Sequence, residues 1–199
     1  MNSLWIETTK NQLHLKSLTQ NLETEVCIIG AGLFGLTTAY YLTKQGKKVV
    51  VVEKDDIGEK VSGNTTGKIT SQHGLFYSHL IDDYGINYAQ KYLEVNEKAI
   101  QNIKEIIDTE QIECDFEEQS AYVFTTNQDE VIEIEKEVDA VNKLGKKAKL
   151  ITNVDKPFKM TAGIEFDNQA QFHPRKYMIG LANVILKDNQ IYNYTTATD

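Results

Sequence analysis

The chain has 199 residues, of which 41% are hydrophobic and 25% charged, with 12 glycines, 2 prolines and 2 cysteines. That length suits one to two domains with a sizeable core, and the apolar fraction excludes a disordered polyampholyte. A formal charge of −8 argues against a nucleic-acid partner, and no uninterrupted apolar run reaches the length of about 18 residues that a membrane span needs.

Residues 1–25 contain no apolar stretch of the kind that opens a secretion signal. Cys27 and Cys114 lack the paired spacing of a zinc site and read as buried thiols of a reducing compartment, so the expected location is cytoplasmic and no metal is expected. Val26–Ile29 is a short apolar run that stops at Gly30, as a buried strand should. Leu33, Leu36, Ala39, Tyr40 and Leu42 then share one side of a helix over 33–45, which Gly46 ends. The four valines Val49–Val52 suit a central parallel strand, so residues 26–52 read as a right-handed β-α-β unit.

Residues 58–74 are rich in glycine and hydroxyl groups and predict a loop of functional length. Ala89, Tyr92, Leu93, Ala99, Ile100, Ile103, Ile106 and Ile107 mark a long amphipathic helix, interrupted by Asn96. Residues 113–125 suit two short strands joined by Glu-Gln-Ser. Val131, Ile134, Val138 and Val141 predict a second helix ending at Gly145, with Glu130, Glu133, Glu135 and Glu137 on a solvated outer face. Strands are predicted at Ala148–Ile151 and Gly163–Phe166, a helix at Tyr177–Leu186 entered through His173-Pro174-Arg175, and a strand-like stretch at Ile191–Asp199. No internal repeat is visible.

Gly30-Ala31-Gly32-Leu33-Phe34-Gly35 is a G-x-G-x-x-G sequence entered by a strand and left by a helix, with Glu53 closing the next strand 23 residues after Gly30. Gly30 allows the tight turn, Gly32 keeps side-chain atoms away from a pyrophosphate, and Gly35 lets the helix lie close to the sheet. The N–H groups and dipole at the helix start favour a diphosphate, and Glu53 suits the hydroxyls of an adenosine ribose while repelling a 2′-phosphate. The unit reads only the ADP half of a cofactor, so FAD and NAD both remain open at this point.

GAGLFGLTTAYYLTKQGKKVVVVEK resembles the N-terminal FAD-binding segment of the D-amino-acid oxidase-like (DAO) flavoprotein oxidoreductases, the group that includes glycine and sarcosine oxidases. Three further stretches agree in order and spacing. Ser62–Thr70 resembles the family's flavin-side loop, Cys114-Asp115-Phe116 through Tyr122-Val123-Phe124 the start of its substrate-domain sheet, and Gln169–Tyr177 the return to the FAD domain. Ser3-Leu4-Trp5 with Thr8-Thr9 is similar to a bacterial subgroup that often carries a C-terminal Rieske module. Gly67 stands where some relatives that bind FAD covalently carry histidine, no Rieske ligand set is present, and the resemblance ends near the family's midpoint.

The resemblance implies an α/β fold: a Rossmann-like FAD-binding domain with a parallel sheet, plus part of an α+β substrate domain, truncated relative to the family. Its implied segments are 1–110 for the FAD-binding domain, 111–168 for the partial substrate domain and 169–199 for the return. FAD is the implied cofactor, and the candidate cofactor-binding residues are Gly30, Gly32, Leu33, Phe34, Gly35, Glu53, Lys54, Ser62, Thr65, Thr66, Lys68 and Thr70. His73 is open between a flavin-proximal and a structural role, and Trp5 between packing at the pocket and anchoring the N-terminal region. His173 reads as structural, and Arg175 as a surface or helix-start residue. The implied activity is oxidation of an amine or amino-acid C–N bond, with no catalytic residue identifiable. The implied partners are the small-molecule substrate and a second copy or complementary C-terminal half. An NAD-dependent dehydrogenase fragment and a non-catalytic, partner-requiring subunit are the alternatives.

Overall fold

The computed structural model describes residues 3–152 and 159–198. It divides into two compact units, one formed by Met1–Gly67, Ile106–Phe116 and Phe172–Asp199, the other by Lys68–Glu105 and Glu117–Gln171. These boundaries fall elsewhere than the sequence suggests: residues 68–105 join the second unit, because the chain enters that unit's sheet at Lys68.

In the first unit, one helical turn, α1 (Leu4–Glu7), precedes β1 (Val26–Ile29), α2 (Leu33–Lys44) and β2 (Val49–Val52). Four residues are too few to show a helical period, which is why α1 is invisible in the sequence. Later in the chain come α6 (Pro174–Ile185) and β7 (Gln190–Tyr192). The three strands form a parallel sheet in the order β1-β2-β7, with Val26 opposite Val49 and Val50 opposite Gln190. All four valines of β2 are buried, as a central strand requires. The expectation of a fully buried β1 is corrected: it lies at one end of the strand order, Cys27 is exposed and Ile29 is 73% exposed. Cys114 is buried, and burial pushes its thiol pKa up to about 11. The predicted strand at 191–199 shortens to β7; Asp199 lies outside the described residues.

α2 turns Gly35, Leu36, Ala39 and Tyr40 inward and packs on α6, which buries Tyr177, Met178, Leu181, Ala182 and Ile185. α6 starts three residues earlier than its apolar period predicts. Pro174 occupies its first position and the His173 side chain caps it by accepting from the Lys176 N–H at 3.2 Å.

The second unit contains β3 (Lys68–Ile69), α3 (Tyr77–Tyr84), α4 (Ile86–Glu110, the boundary between units falling before Ile106), β4 (Glu117–Thr125), α5 (Val131–Lys143), β5 (Ala148–Ile151) and β6 (Ala162–Gln171). β6 is the hub of an antiparallel sheet: β4 pairs along most of it, β3 meets Ala170–Gln171, and β5 meets Gly163–Phe166. Two expectations change here. Residues 113–125 hold one strand rather than two, and the strand at 163–166 runs on to Gln171. One irregularity explains both. The pairing shifts between Gln119 and Ala121, opposite Asp167 and Asn168, and Asn168 takes φ +59°. Polar residues that read as strand ends are therefore the two sides of a β-bulge, with the Ser120 hydroxyl donating to Asp167 Oδ1 at 3.1 Å. The loop over 58–74 likewise holds a short 3-10 turn, Ser62–Asn64, and then β3.

Tyr77, Leu80, Leu93, Ile134, Val138, Val141, Ile164 and Phe166 lie in the second unit's core. Glu137 departs from the predicted acidic face: it is fully buried. Its Oε1 accepts from the Phe76 and Tyr77 N–H groups, both at 2.9 Å, and its Oε2 from Ser78 N–H at 2.8 Å. α5 thus lends a carboxylate to the start of α3, whose preceding residue Phe76 offers no side-chain cap.

Candidate cofactor site

The turn from β1 into α2 is built by glycines at the positions where a side chain has no room or no allowed conformation. Gly30 takes φ +103° and donates its N–H to Val52 O at 2.8 Å. A Cβ on Gly35 would lie 2.0 Å from Gly30 O, so only glycine lets α2 approach the turn this closely. The Glu53 carboxylate faces the same turn. Its Oε2 accepts from Ala31 N–H at 2.8 Å and its Oε1 from Asp55 N–H at 3.0 Å.

The following loop lies over this turn. Gly58 N–H donates to Ala31 O at 3.2 Å, and Leu33 N–H, in the first turn of α2, donates to the Ser62 hydroxyl at 3.1 Å. The loop repeats the glycine spacing of the fingerprint: a Cβ on Gly63 would lie 1.9 Å from Gly58 O. That second pair, Gly58 and Gly63, was not read as part of the site, although its five-residue spacing was visible.

The structure therefore brings Gly30, Gly32, Leu33, Gly35, Glu53 and Ser62 together in the first unit. Phe34 belongs to the same helical turn, but its side chain is 87% exposed. Lys54 and Thr66 are exposed. Thr65 takes part through its carbonyl, which accepts from the Trp5 indole N–H at 2.7 Å. Lys68 and Thr70 lie in the second unit, where Lys68 is exposed and the Thr70 hydroxyl accepts from Gln72 N–H at 2.9 Å. His73, also in the second unit, is exposed and hydrogen-bonds Tyr92 OH through Nδ1 at 2.9 Å.

Other side chains hold the loop that lies over this turn. Arg175 does stand at a helix start, but it is buried rather than on the surface, 5% exposed. Its Nε donates to Ile57 O at 3.1 Å, its Nη1 to Thr9 O and Thr9 Oγ1 at 3.0 and 2.7 Å, and its Nη2 to Asp56 Oδ2 at 2.7 Å. The fork satisfies itself on two loops at once, which a lysine cannot do. Trp5 packs 4.9 Å from His173, ring centre to ring centre, and its edge would lie 3.1 Å from a Cβ on Gly67. Gly67 also takes φ +74°, so histidine at this position is strained by conformation, and its Cβ would lie 2.7 Å from Phe172 O.

His173 is neutral in this arrangement. Its Nδ1 accepts from Lys176 N–H, so Nε2 carries the proton and donates to Thr8 Oγ1 at 2.8 Å, while Thr8 Oγ1 donates to Leu4 O. Burial holds its pKa below the ordinary histidine value of about 6.5. The unfolded chain therefore takes up a proton first as the pH falls. The stabilisation from neutral His173 is complete above about pH 6.5 and is lost as the pH drops through the lower, folded-state pKa. Thermal unfolding of the wild type between pH 7 and pH 5 is expected to shift downward more than that of His173→Asn, which keeps a capping acceptor but does not titrate.

A dinucleotide carrying FAD's diphosphate fits this turn. A Cβ built on Gly30 meets nothing within 4 Å, and one on Gly32 meets only the Ser62 side chain. The twelve-residue α2 begins at this turn with Gly32 as its N-cap and no side-chain cap from it, and Glu53 stands beside that helix start.

The comparisons with known proteins agree. The family DAO, FAD dependent oxidoreductase, matches residues 25–199. The chain is 40% identical over 184 residues to YhfW of Bacillus subtilis, named as a Rieske 2Fe-2S iron-sulfur protein, covering 92% of this chain and 36% of that one. It is 24% identical to gamma-glutamylputrescine oxidoreductase of Escherichia coli, covering 92% of this chain and 44% of the relative. Among solved structures, a glycine oxidase from Bacillus cereus superimposes with a TM-score of 0.70 at 21% identity, over 89% of this chain and 49% of the other. An FAD-bound L-alpha-glycerophosphate oxidase from Mycoplasma pneumoniae does so with a TM-score of 0.61 at 20% identity, covering 89% and 47%. The chain thus spans less than half the length of these relatives. From residue 25 onward it belongs to the DAO family of FAD-dependent oxidoreductases.

Proposed function

We propose that the chain is the FAD-binding portion of a flavin oxidoreductase that oxidises an amine or amino-acid C–N bond. The observation that carries this reading is the Glu53 carboxylate held against Ala31 at a glycine turn open to a diphosphate. The chemistry that the group supplies when bound is acceptance of a hydride. This chain's residues bind and orient. The start of α2 offers a diphosphate its remaining N–H groups, Ser62 closes the turn by accepting from Leu33 N–H, and each Glu53 oxygen keeps a lone pair for a ribose hydroxyl beside the backbone N–H it already accepts. Gly32, Leu33 and Phe34 serve through their backbone. Lys54, Thr65 and Thr66 are proposed as further contacts toward the pyrophosphate and flavin edge.

These residues span less than half the length of the relatives, so by themselves they are expected to bind FAD weakly and turn over no amine. The open side of β1, with Cys27 and Ile29 exposed, and the exposed Phe34 ring support a complementary half or a second copy as partner. The test is titration of the purified chain with FAD. Glu53→Ala is expected to weaken binding about tenfold or more, since a hydrogen bond to a charged group contributes roughly 1.5–3 kcal/mol. Unchanged affinity in the folded variant refutes the assignment of Glu53, and rapid amine oxidation by the isolated chain refutes the need for a second part.

A further inference from the structure

Residues 3–9 precede the family match, which begins at residue 25, yet they are tied into the loop that covers the fingerprint. Trp5 Nε1 donates to Thr65 O at 2.7 Å, and Ile6 packs at Gly63, 3.3 Å from where its Cβ would be. Thr9 is 1% exposed. Its hydroxyl donates to Trp5 O at 2.6 Å and accepts from Arg175 Nη1 at 2.7 Å, and the same guanidinium holds Asp56 and Ile57. The next residue but one from Asp56 is Gly58, whose N–H fixes Ala31 O, and four residues on is Ser62, whose hydroxyl meets Leu33 N–H. Each link from Trp5 to the fingerprint is thus either a direct contact or a run of a few residues of chain, all within one unit.

We propose that residues 3–9 are a strap that presses the loop Asp56–Gly67 onto the dinucleotide turn, and that Trp5, Thr9 and Arg175 are positioning residues for the cofactor site. None of them touches the cofactor in this assignment. They act by fixing the Gly58 and Ser62 contacts, so the turn keeps its receiving shape before a ligand arrives and less ordering is left to binding. An anchor that served stability alone would have no need to meet the loop on both sides of Gly63, as Trp5 does at Thr65 and Arg175 does at Asp56 and Ile57. The inference rests on the FAD reading for the purpose of the strap, but not for its existence.

The experiment compares wild type with Trp5→Phe, which keeps an aromatic six-membered ring and removes the pyrrole half with its N–H, and with Thr9→Val, which keeps the shape and removes the hydroxyl. Hydrogen exchange on the ligand-free chain is expected to quicken in peptides covering 31–36 and 56–66 by at least about fivefold, the factor that one lost hydrogen bond of ordinary net strength represents. Exchange in Val49–Val52 is expected to stay unchanged, which confirms a folded unit. FAD titration of the same samples is expected to show affinity weakened by about three- to tenfold, with Arg175→Lys recovering part of what Arg175→Met loses. Unchanged exchange in both variants overturns the strap. Faster exchange with wild-type FAD affinity overturns its role at the cofactor site. A wild-type chain that ignores FAD at millimolar concentration refutes the function proposed above together with that role, and the exchange result, which uses no cofactor, tells the two failures apart.

Discussion

Replacing Glu137 with alanine is expected to destabilise the second unit by about 3–5 kcal/mol, the range for breaking a buried ionic or charge-assisted network. The carboxylate holds three consecutive N–H groups at the start of α3, and Gln72 Nε2 reaches the same Oε1 at 3.2 Å. Alanine leaves those donors in a buried place, where each unsatisfied group costs roughly 1–3 kcal/mol. Glu137→Gln keeps one acceptor oxygen and is expected to lose about half as much. Glu133, one turn earlier on α5, is the control. It is partly exposed, pairs with Lys136 at 2.7 Å, and its replacement by alanine is expected to cost under about 1 kcal/mol. Urea unfolding followed by circular dichroism separates the three. Equal midpoints for Glu133→Ala and Glu137→Ala refute the capping role.

The second large effect belongs to Gly35. Adding one methyl group there places carbon 2.0 Å from Gly30 O and 3.1 Å from Gly30 C, both backbone atoms that no side-chain rotation relieves. Overpacking ordinarily costs about 1–3 kcal/mol, and the fixed backbone puts Gly35→Ala at or beyond the upper end. Separation of α2 from the turn also disturbs the Ser62 contact on Leu33 N–H and the Glu53 contact on Ala31 N–H that shape the site, so FAD binding is expected to be lost along with stability. Phe34→Ala, one residue away, removes a ring that is 87% exposed and is expected to change unfolding by under about 0.5 kcal/mol. Thermal unfolding and FAD titration of the two variants form the comparison.

The parts of the fold that sequence discloses are those carried by short-range pattern. Four valines between Gly46 and Glu53 announce a strand buried on both faces, and the glycine spacing at 30–35 announces the turn, because each depends on residues a few positions apart. Glu137 shows the opposite case. It alternates with Glu133 and Glu135 as any solvated face does, and its burial is decided by α3, some 60 residues away. Arg175 is hidden for the same reason: its partners lie at residues 9, 56 and 57, and helical period says nothing about them. The bulge at Ser120 misled in another way, since local polarity imitates a turn when two strands absorb it between them. In the candidate site, Gly30, Gly32, Gly35 and Glu53 are legible because they follow a spacing with a mechanical cause, and Ser62 only through the resemblance of its loop to the family's. The backing residues are not, since nothing in one stretch of chain records what packs behind it.

The discontinuity of the first unit bears on how the protein comes to be made. β1 and β2 leave the ribosome early, but β7 and the helix that receives Thr8 and Thr9 follow only after residue 172 has been added. At about 5–20 residues per second, β7 trails β2 by roughly 7–28 s. The intervening stretch can complete its own antiparallel sheet meanwhile, while the valine strand waits with one edge bare. Such a window of β-branched, uncharged residues is a target for misassociation in that interval. Synthesis at reduced temperature, or with holdase chaperones in excess, therefore favours soluble product more than any change to the mature surface would.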